Sequence, residues 1–264
     1  LAMTVGLAAC GTPVSQGTAN QYQLVVGMEA GYPPFNWTQN DDSNGAVKIQ
    51  GTDQYAGGYD VEIAKRVAIQ LGKELVIVKT EWDGLTPALV SGKIDAIIAG
   101  MSPTEERKAT IDFTDSYYDS QLVLVVKKGS KYANATSLAD FAGAKVTAQL
   151  NTFHYSVIDQ IPGVDKQAAM DNFPAMRVAL QAGTIDAYVS ELPEAISAQA
   201  ANSDFVMVKL TDGFKASPED TQTAVGVKKD SPLTKEINEA LKTISSEERL
   251  QIMQDAIKNQ PAAE

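Results

Sequence analysis

Residues 100–109 read GMSPTEERKA, a run of residue types that can hold a small carboxylate. An apolar stretch ends at Gly100 and Met101, and positions 103–107 start a helical turn. Such a turn leaves backbone N–H groups free, and a helix start favours an anion. Ser102 adds a hydroxyl, and Arg107 can bring its planar fork over the same spot in a bidentate, charge-assisted pair. The plainer alternative pairs Arg107 with Glu106 or Asp112 on the surface and leaves Ser102 as a helix cap. A second stretch, QLNTF at 149–153, runs from Gln149 to Phe153 between a strand and a helix. Thr152 caps that helix in the simplest reading, and the N–H of Phe153 points the same way. Glu191 ends another apolar run and can hold an ammonium group, or stand as an ordinary solvated acid. Glu29 closes the first strand and can face a polar or cationic tip. Tyr32, Phe35 and Trp82 follow strands, either as core or as a sandwich around a side chain. An Arg107 and a Glu191 that converge from two halves of a molecule would meet both poles of one zwitterion.

The elements that must position these residues alternate between strand and helix. Residues 24–27 and 75–78 read as strands, and 36–54 as a polar surface loop or hairpin. Asp60 is expected to cap a helix whose apolar Ile63, Val67 and Leu71 recur every fourth residue, with Gly72 ending it. A helix at 85–91 stops at Gly92 and leads into a buried strand at 94–99. The second half has strands at 122–126, 146–148, 187–189 and 206–208, and helices at 153–161, 174–182 and 193–201. Two amphipathic helices follow at 233–244 and 247–257, and 260–264 reads as a frayed tail. This alternation implies α/β architecture with mostly parallel sheets. One internal echo stands out: LTPALVSGKIDAIIAG at 85–100 aligns without gaps with MRVALQAGTIDAYVSE at 176–191. Each is a helix, a glycine stop and a buried strand, and open α/β sheets bind ligands beyond the carboxyl ends of such strands. Those ends carry Gly100, Met101 and Ser102 in one half and Glu191 in the other, so two such edges facing each other make a cleft.

The chain has 264 residues, room for two lobes of about 100 each. Its net charge of −11 makes a nucleic acid an unsuitable partner. The only cysteine is Cys10, so no internal disulfide can form. The run LAAC at 7–10 resembles a bacterial lipobox, which makes residues 1–22 a signal-peptide remnant, a lipidation site at Cys10 and a polar tether. Two acyl chains there would hold the protein at a membrane surface, whereas the alternative is a buried cysteine in a short helix. No later segment reaches 18 apolar residues. There is no metal-ligand cluster, no nucleophile elbow, and the one histidine, His154, has no acid partner in its local sequence.

The ordered set GYPPF at 31–35, GYDV at 58–61, WDGL at 82–85, MSPTEER at 101–107, DFT at 112–114 and the tyrosine pair at 117–118 resembles the family 3 solute-binding proteins, polar amino-acid receptors of ABC importers. The resemblance runs from about Tyr22 to Ile257. It implies a type II periplasmic-binding-protein-like fold of two lobes: 23–118, 119–223 and a return at 224–264, joined by two crossing strands near 118–121 and 221–224. It implies that Arg107 clamps an α-carboxylate with Ser102 and Thr152 assisting, and that the Gly100 carbonyl and Glu191 bind the α-ammonium. Tyr32 and Trp82 would flank the side chain. The expected role is that of a monomeric, lipid-anchored receptor on the outer face of the cell membrane. It would use no cofactor and no metal, and would deliver a free L-amino acid to an ABC permease and ATPase. Glu29, Glu191 and aromatic walls suit a cation, arginine first, then lysine or histidine. Glutamine is the alternative, and a small-acid dehydratase or lyase on the same scaffold is the rival from another class. Two positions depart from the family pattern: Glu191 replaces an aspartate and Asn151 a glycine.

Overall fold

The computed structural model describes residues 21–262, so Cys10 and most of the expected tether lie outside the described residues. The strands are β1 (Gln23–Met28), β2 (Gly31–Tyr32), β3 (Asn36–Gln39), β4 (Val47–Lys48), β5 (Tyr55–Gly57), β6 (Glu74–Lys79), β7 (Ala96–Ile97), β8 (Asp112–Asp119), β9 (Leu122–Lys127), β10 (Lys145–Thr147), β11 (Asp165–Lys166), β12 (Ala187–Glu191), β13 (Phe205–Val208) and β14 (Gln222–Val227). The helices are α1 (Tyr59–Gln70), α2 (Leu85–Ser91), α3 (Glu105–Lys108), α4 (Phe153–Val157), α5 (Phe173–Ala182), α6 (Leu192–Ala201), α7 (Pro218–Thr221), α8 (Leu233–Lys242) and α9 (Ser246–Asn259).

Two five-stranded sheets organise the two lobes, in the orders β6-β1-β7-β14-β8 and β11-β10-β12-β9-β13. In each, four strands run in one direction and one, β14 or β9, runs against them, so each is a mixed sheet in which most strands are parallel. The two reversed strands, β9 and β14, are those with which the chain enters one sheet and returns to the other. β8 leads out to β9, and β14 brings the chain back and pairs with β8 from Gln222 opposite Asp119 to Val227 opposite Asp112. The polar stretch expected to be a hairpin contributes to a small antiparallel sheet, β2-β3-β5-β4.

The internal echo has a structural counterpart. α2 and α5 both end at a left-handed glycine, Gly92 and Gly183, whose N–H groups bond back into the last helical turn. Ile94 and Ile185 are then buried. Asp95 accepts the N–H of Val25 at 2.9 Å, and Asp186 accepts that of Lys145 at 2.9 Å, which fastens each following strand to the start of its neighbour. The backbone N–H groups of Asp95 and Asp186 return the bond to the same two residues at 2.8 Å. One device thus sets the register in both lobes.

Two expectations change. Asp60 is not a cap: Gly58 precedes α1, and Asp60 is buried in the first turn. Its carboxylate accepts the Tyr117 hydroxyl at 2.6 Å and the Asn36 amide at 2.8 Å. Nor is the tail frayed at Gln260, whose amide donates to the Ser197 carbonyl at 3.2 Å and whose Oε1 accepts the Ser197 hydroxyl. The end of the α9 segment is thereby tied to α6.

Burial pushes the Asp60 carboxyl up to about 7, against the lowering effect of its two bonds. A carboxyl raised in this way stabilises the fold below its usual 3.8 and loses that contribution as pH climbs through about 7. Asp60→Asn is therefore expected to flatten the decline in unfolding free energy between pH 5 and 8. Asp60→Ala strands the Tyr117 hydroxyl and is expected to cost about 2–3 kcal/mol. Urea unfolding at the two pH values checks both. An unchanged slope in the asparagine variant would remove Asp60 as the source.

Candidate functional site

Gly100 ends the strand region after β7 and must be glycine for two reasons. Its φ is +61°, and a Cβ there would stand 2.7 Å from the Tyr32 ring. Its N–H donates to the Tyr117 hydroxyl at 3.2 Å, so the bonds at Asp60 also hold this turn. Met101 is buried and its carbonyl accepts the N–H of Ala224 on β14 at 3.0 Å. The Ser102 hydroxyl donates to the Asp220 carbonyl at 3.0 Å. Thr104, not Ser102, occupies the cap position of α3, where its side chain accepts the N–H of Arg107. The turn carrying Arg107 is thus fastened to the segment that crosses between the lobes.

Arg107 pairs with neither Glu106 nor Asp112. Its Nη1 donates to the Ser102 carbonyl at 2.8 Å, and its Nη2 reaches across to the Asn151 carbonyl at 3.1 Å. Its guanidinium lies 5.2 Å from the centre of the Trp82 ring. Burial pushes it down to about 10, with Glu106, Asp220 and Glu191 pulling the other way, so it remains a cation at neutral pH. A cavity of about 810 Å³ opens beside it, lined by Trp82, Met101, Arg107, Asn151, Thr152 and Phe153 among others.

Across the cleft, Thr152 precedes α4, yet its hydroxyl does not cap that helix and donates instead to the Gln149 carbonyl at 2.7 Å. Gln149 is buried, and its amide spans the lobes to both Glu29 oxygens at 3.3 and 3.2 Å, with a third contact to the Asp171 carbonyl at 3.0 Å. Burial raises the Glu29 carboxyl to about 7, against the lowering bond from Gln149. Glu29 lines a separate cavity of about 360 Å³ with Lys79, Glu81, Asn172 and Arg177.

Glu191 is fully buried at the end of β12. One oxygen accepts the Tyr32 hydroxyl at 3.2 Å, and the other lies 3.2 Å from Nε2 of His154. Tyr32 stacks on Phe173, with centroids 4.5 Å apart and planes within 8°, while Trp82 lies against the Arg107 guanidinium. Burial and the nearby Glu191 hold the Tyr32 phenol far above its ordinary range. The neighbouring buried acid, Glu194, has a cation of its own, Arg177 at 2.7 Å. Among the described residues Glu191 has no arginine or lysine partner, and Arg107 has no acid partner within ion-pair distance. Both adjoin one segment, Arg107 at Asn151 and Glu191 at His154.

Sequence reasoning missed His154, Phe173 and Asp83, which lie within hydrogen-bond distance of Glu191, stack on Tyr32 and accept from Asn151 respectively. His154 found no acid nearby in sequence because its partner lies 37 residues on. Only the unusual Asn151 gave a signal.

The sequence profile of the bacterial extracellular solute-binding proteins, family 3, matches residues 24–257. The arginine-binding extracellular protein ArtP of Bacillus subtilis is 29% identical over 251 residues, covering 94% of this chain and 91% of that protein. The glutamine-binding protein GlnH of the same organism is 30% identical over 275 residues, covering 97% and 93%. Among solved structures, the amino acid ABC transporter substrate-binding protein AbpA of Streptococcus pneumoniae bound to L-arginine superposes with a TM-score of 0.77 at 28% identity, covering 90% of this chain and 95% of that one. The two-lobed architecture is that of the type II periplasmic binding proteins, and the chain belongs to the bacterial extracellular solute-binding proteins of family 3.

Proposed function

We propose that this chain is the extracytoplasmic binding subunit of an amino-acid ABC importer, and that it closes its two lobes on one free polar or basic L-amino acid. The observation that carries the reading is the pair of charges around residues 151–154: among the described residues, a cation without an acid partner and a buried acid without an arginine or lysine. A zwitterion answers both at once. Its carboxylate pairs with the fork of Arg107, near Ser102 and the backbone at Thr152 and Phe153. Its ammonium joins Tyr32 and His154 on Glu191, with the Gly100 carbonyl close by. Bound ligand stabilises the closed arrangement over the open one, and the population shifts accordingly. The permease then reads the closed form. We assign 23–118 and 224–264 to one lobe and 119–223 to the other, with the hinge at the two crossings. The protein acts as a monomer, and Cys10 carries the lipid that holds it at the outer face of the membrane. Membership of a solute-binding family sets aside the dehydratase or lyase reading.

Arginine is the favoured ligand, followed by lysine and histidine, because the buried Glu29 offers a second negative pole and relatives of this chain include an arginine-binding protein. Glutamine is the alternative, since the same carboxyl can receive an amide and a glutamine-binding relative is 30% identical over 97% of this chain.

Arg107→Ala is expected to remove about 2–5 kcal/mol of binding free energy while leaving the melting temperature of the free protein nearly unchanged. Calorimetry with L-arginine reads this, and affinity retained within a few-fold would refute the carboxylate role. A thermal-shift panel of free amino acids ranks the ligands, and a rise with glutamine alone would displace arginine. Glu29 sets the pH dependence. A cationic ligand favours the ionised carboxylate, so arginine affinity should rise from pH 5.5 to 8 as the carboxyl passes through about 7. Glu29→Gln should level that profile, and a profile that persists in the variant would place the titration elsewhere.

A further inference from the structure

Asn151 stands at φ +55°, in the left-handed region where glycine fits freely and asparagine is one of the few side chains tolerated. Glycine would satisfy the backbone there, but would offer no side chain. The Asn151 amide donates to Oδ1 of Asp83 at 2.7 Å, from one lobe to the other. Its carbonyl meanwhile accepts Nη2 of Arg107 at 3.1 Å and lies 3.5 Å from the Trp82 indole nitrogen. One residue therefore makes a main-chain contact to the carboxylate clamp and a side-chain contact to the turn beside it, Trp82–Gly84, at the mouth of the cleft.

We propose that Asn151 and Asp83 form a latch that sets how long the closed cleft retains its amino acid. The bond spans the two lobes, so it exists only while they are together and must break when they part. It acts on opening, and so on the dissociation rate, and little on encounter. Both side chains are exposed, which limits the latch to a few-fold effect rather than an on–off one. The latch rests on the reading of the cleft as an amino-acid site, but it can also be followed without ligand.

The test uses the whole described chain with Asn151→Gly, Asp83→Ala, the double variant, Asn151→Asp, and Asn151→Asp combined with Asp83→Asn. Glycine keeps the left-handed backbone and the carbonyl while deleting only the amide. Stopped-flow displacement of L-arginine is expected to show each single deletion speeding release about fivefold. Association should change by less than about twofold, and the double variant should be no faster than either single one. Asn151→Asp places two carboxylates together and should speed release more than glycine does, while adding Asp83→Asn swaps donor and acceptor and restores slow release. Fold-changes that multiply in the double variant, or a failure of the swap to restore retention, would overturn the latch. Single-molecule FRET between labels on the two lobes, without ligand, separates the two readings. Closed-state dwell times shortened alike by both deletions uphold the latch even if no amino acid binds. Equal dwell times in the wild type and Asn151→Gly overturn it even if arginine binds tightly.

Discussion

A carboxylate removed from water must be given donors in place of its lost hydration, and Glu191 is fully buried. Its partners come from both sides: the Tyr32 hydroxyl donates from the first lobe, and Nε2 of the His154 ring lies 3.2 Å away in the second. The Tyr32 bond joins the two lobes, so the surroundings of this one acid are completed from both. Glu194, three residues on, shows the contrast. It is equally buried, yet Arg177, Tyr188 and Ser190 surround it within one lobe.

The turn that carries Arg107 is fastened to the segment where the chain crosses between the two sheets. β8 and β14 run side by side with register irregularities at Thr223–Ala224 and Ala224–Gly226, which bend the pair where the chain crosses. Met101 and Ser102 are bonded to Ala224 and Asp220, so the turn that orients Arg107 moves with the crossing segment. On the other side Gly100 is held through Tyr117 to Asp60. That turn has little freedom of its own, and Asn151 meets it from the other lobe.

The repeated helix, glycine and Ile-Asp-Ala could be read from sequence because local chemistry dictates it: a left-handed stop, a buried aliphatic, and an aspartate that caps the next strand's backbone. Arg107 and Glu191 could be singled out as candidates from local pattern as well, since one lies in the short helix after a buried strand and the other ends one. What was not legible depends on contacts between distant elements. The stack of Tyr32 on Phe173 and the pairing of His154 with Glu191 join segments with no shared periodicity. Asp60 was read as a cap because helix starts favour aspartate, and tertiary burial overrode that preference. Thr104 displaced Ser102 as the cap of α3 because the Ser102 hydroxyl was already engaged with Asp220.

The tie between Gln260 and Ser197 bears on how the molecule can be handled. Helix α9 grows out of the first lobe but is anchored at its end to the second. A fluorescent reporter or surface linker grafted onto the carboxyl terminus would straddle the junction instead of riding on one half. Its attachment point would register the relative swing of the two bodies, and a bulky graft would load the joint it was meant to observe.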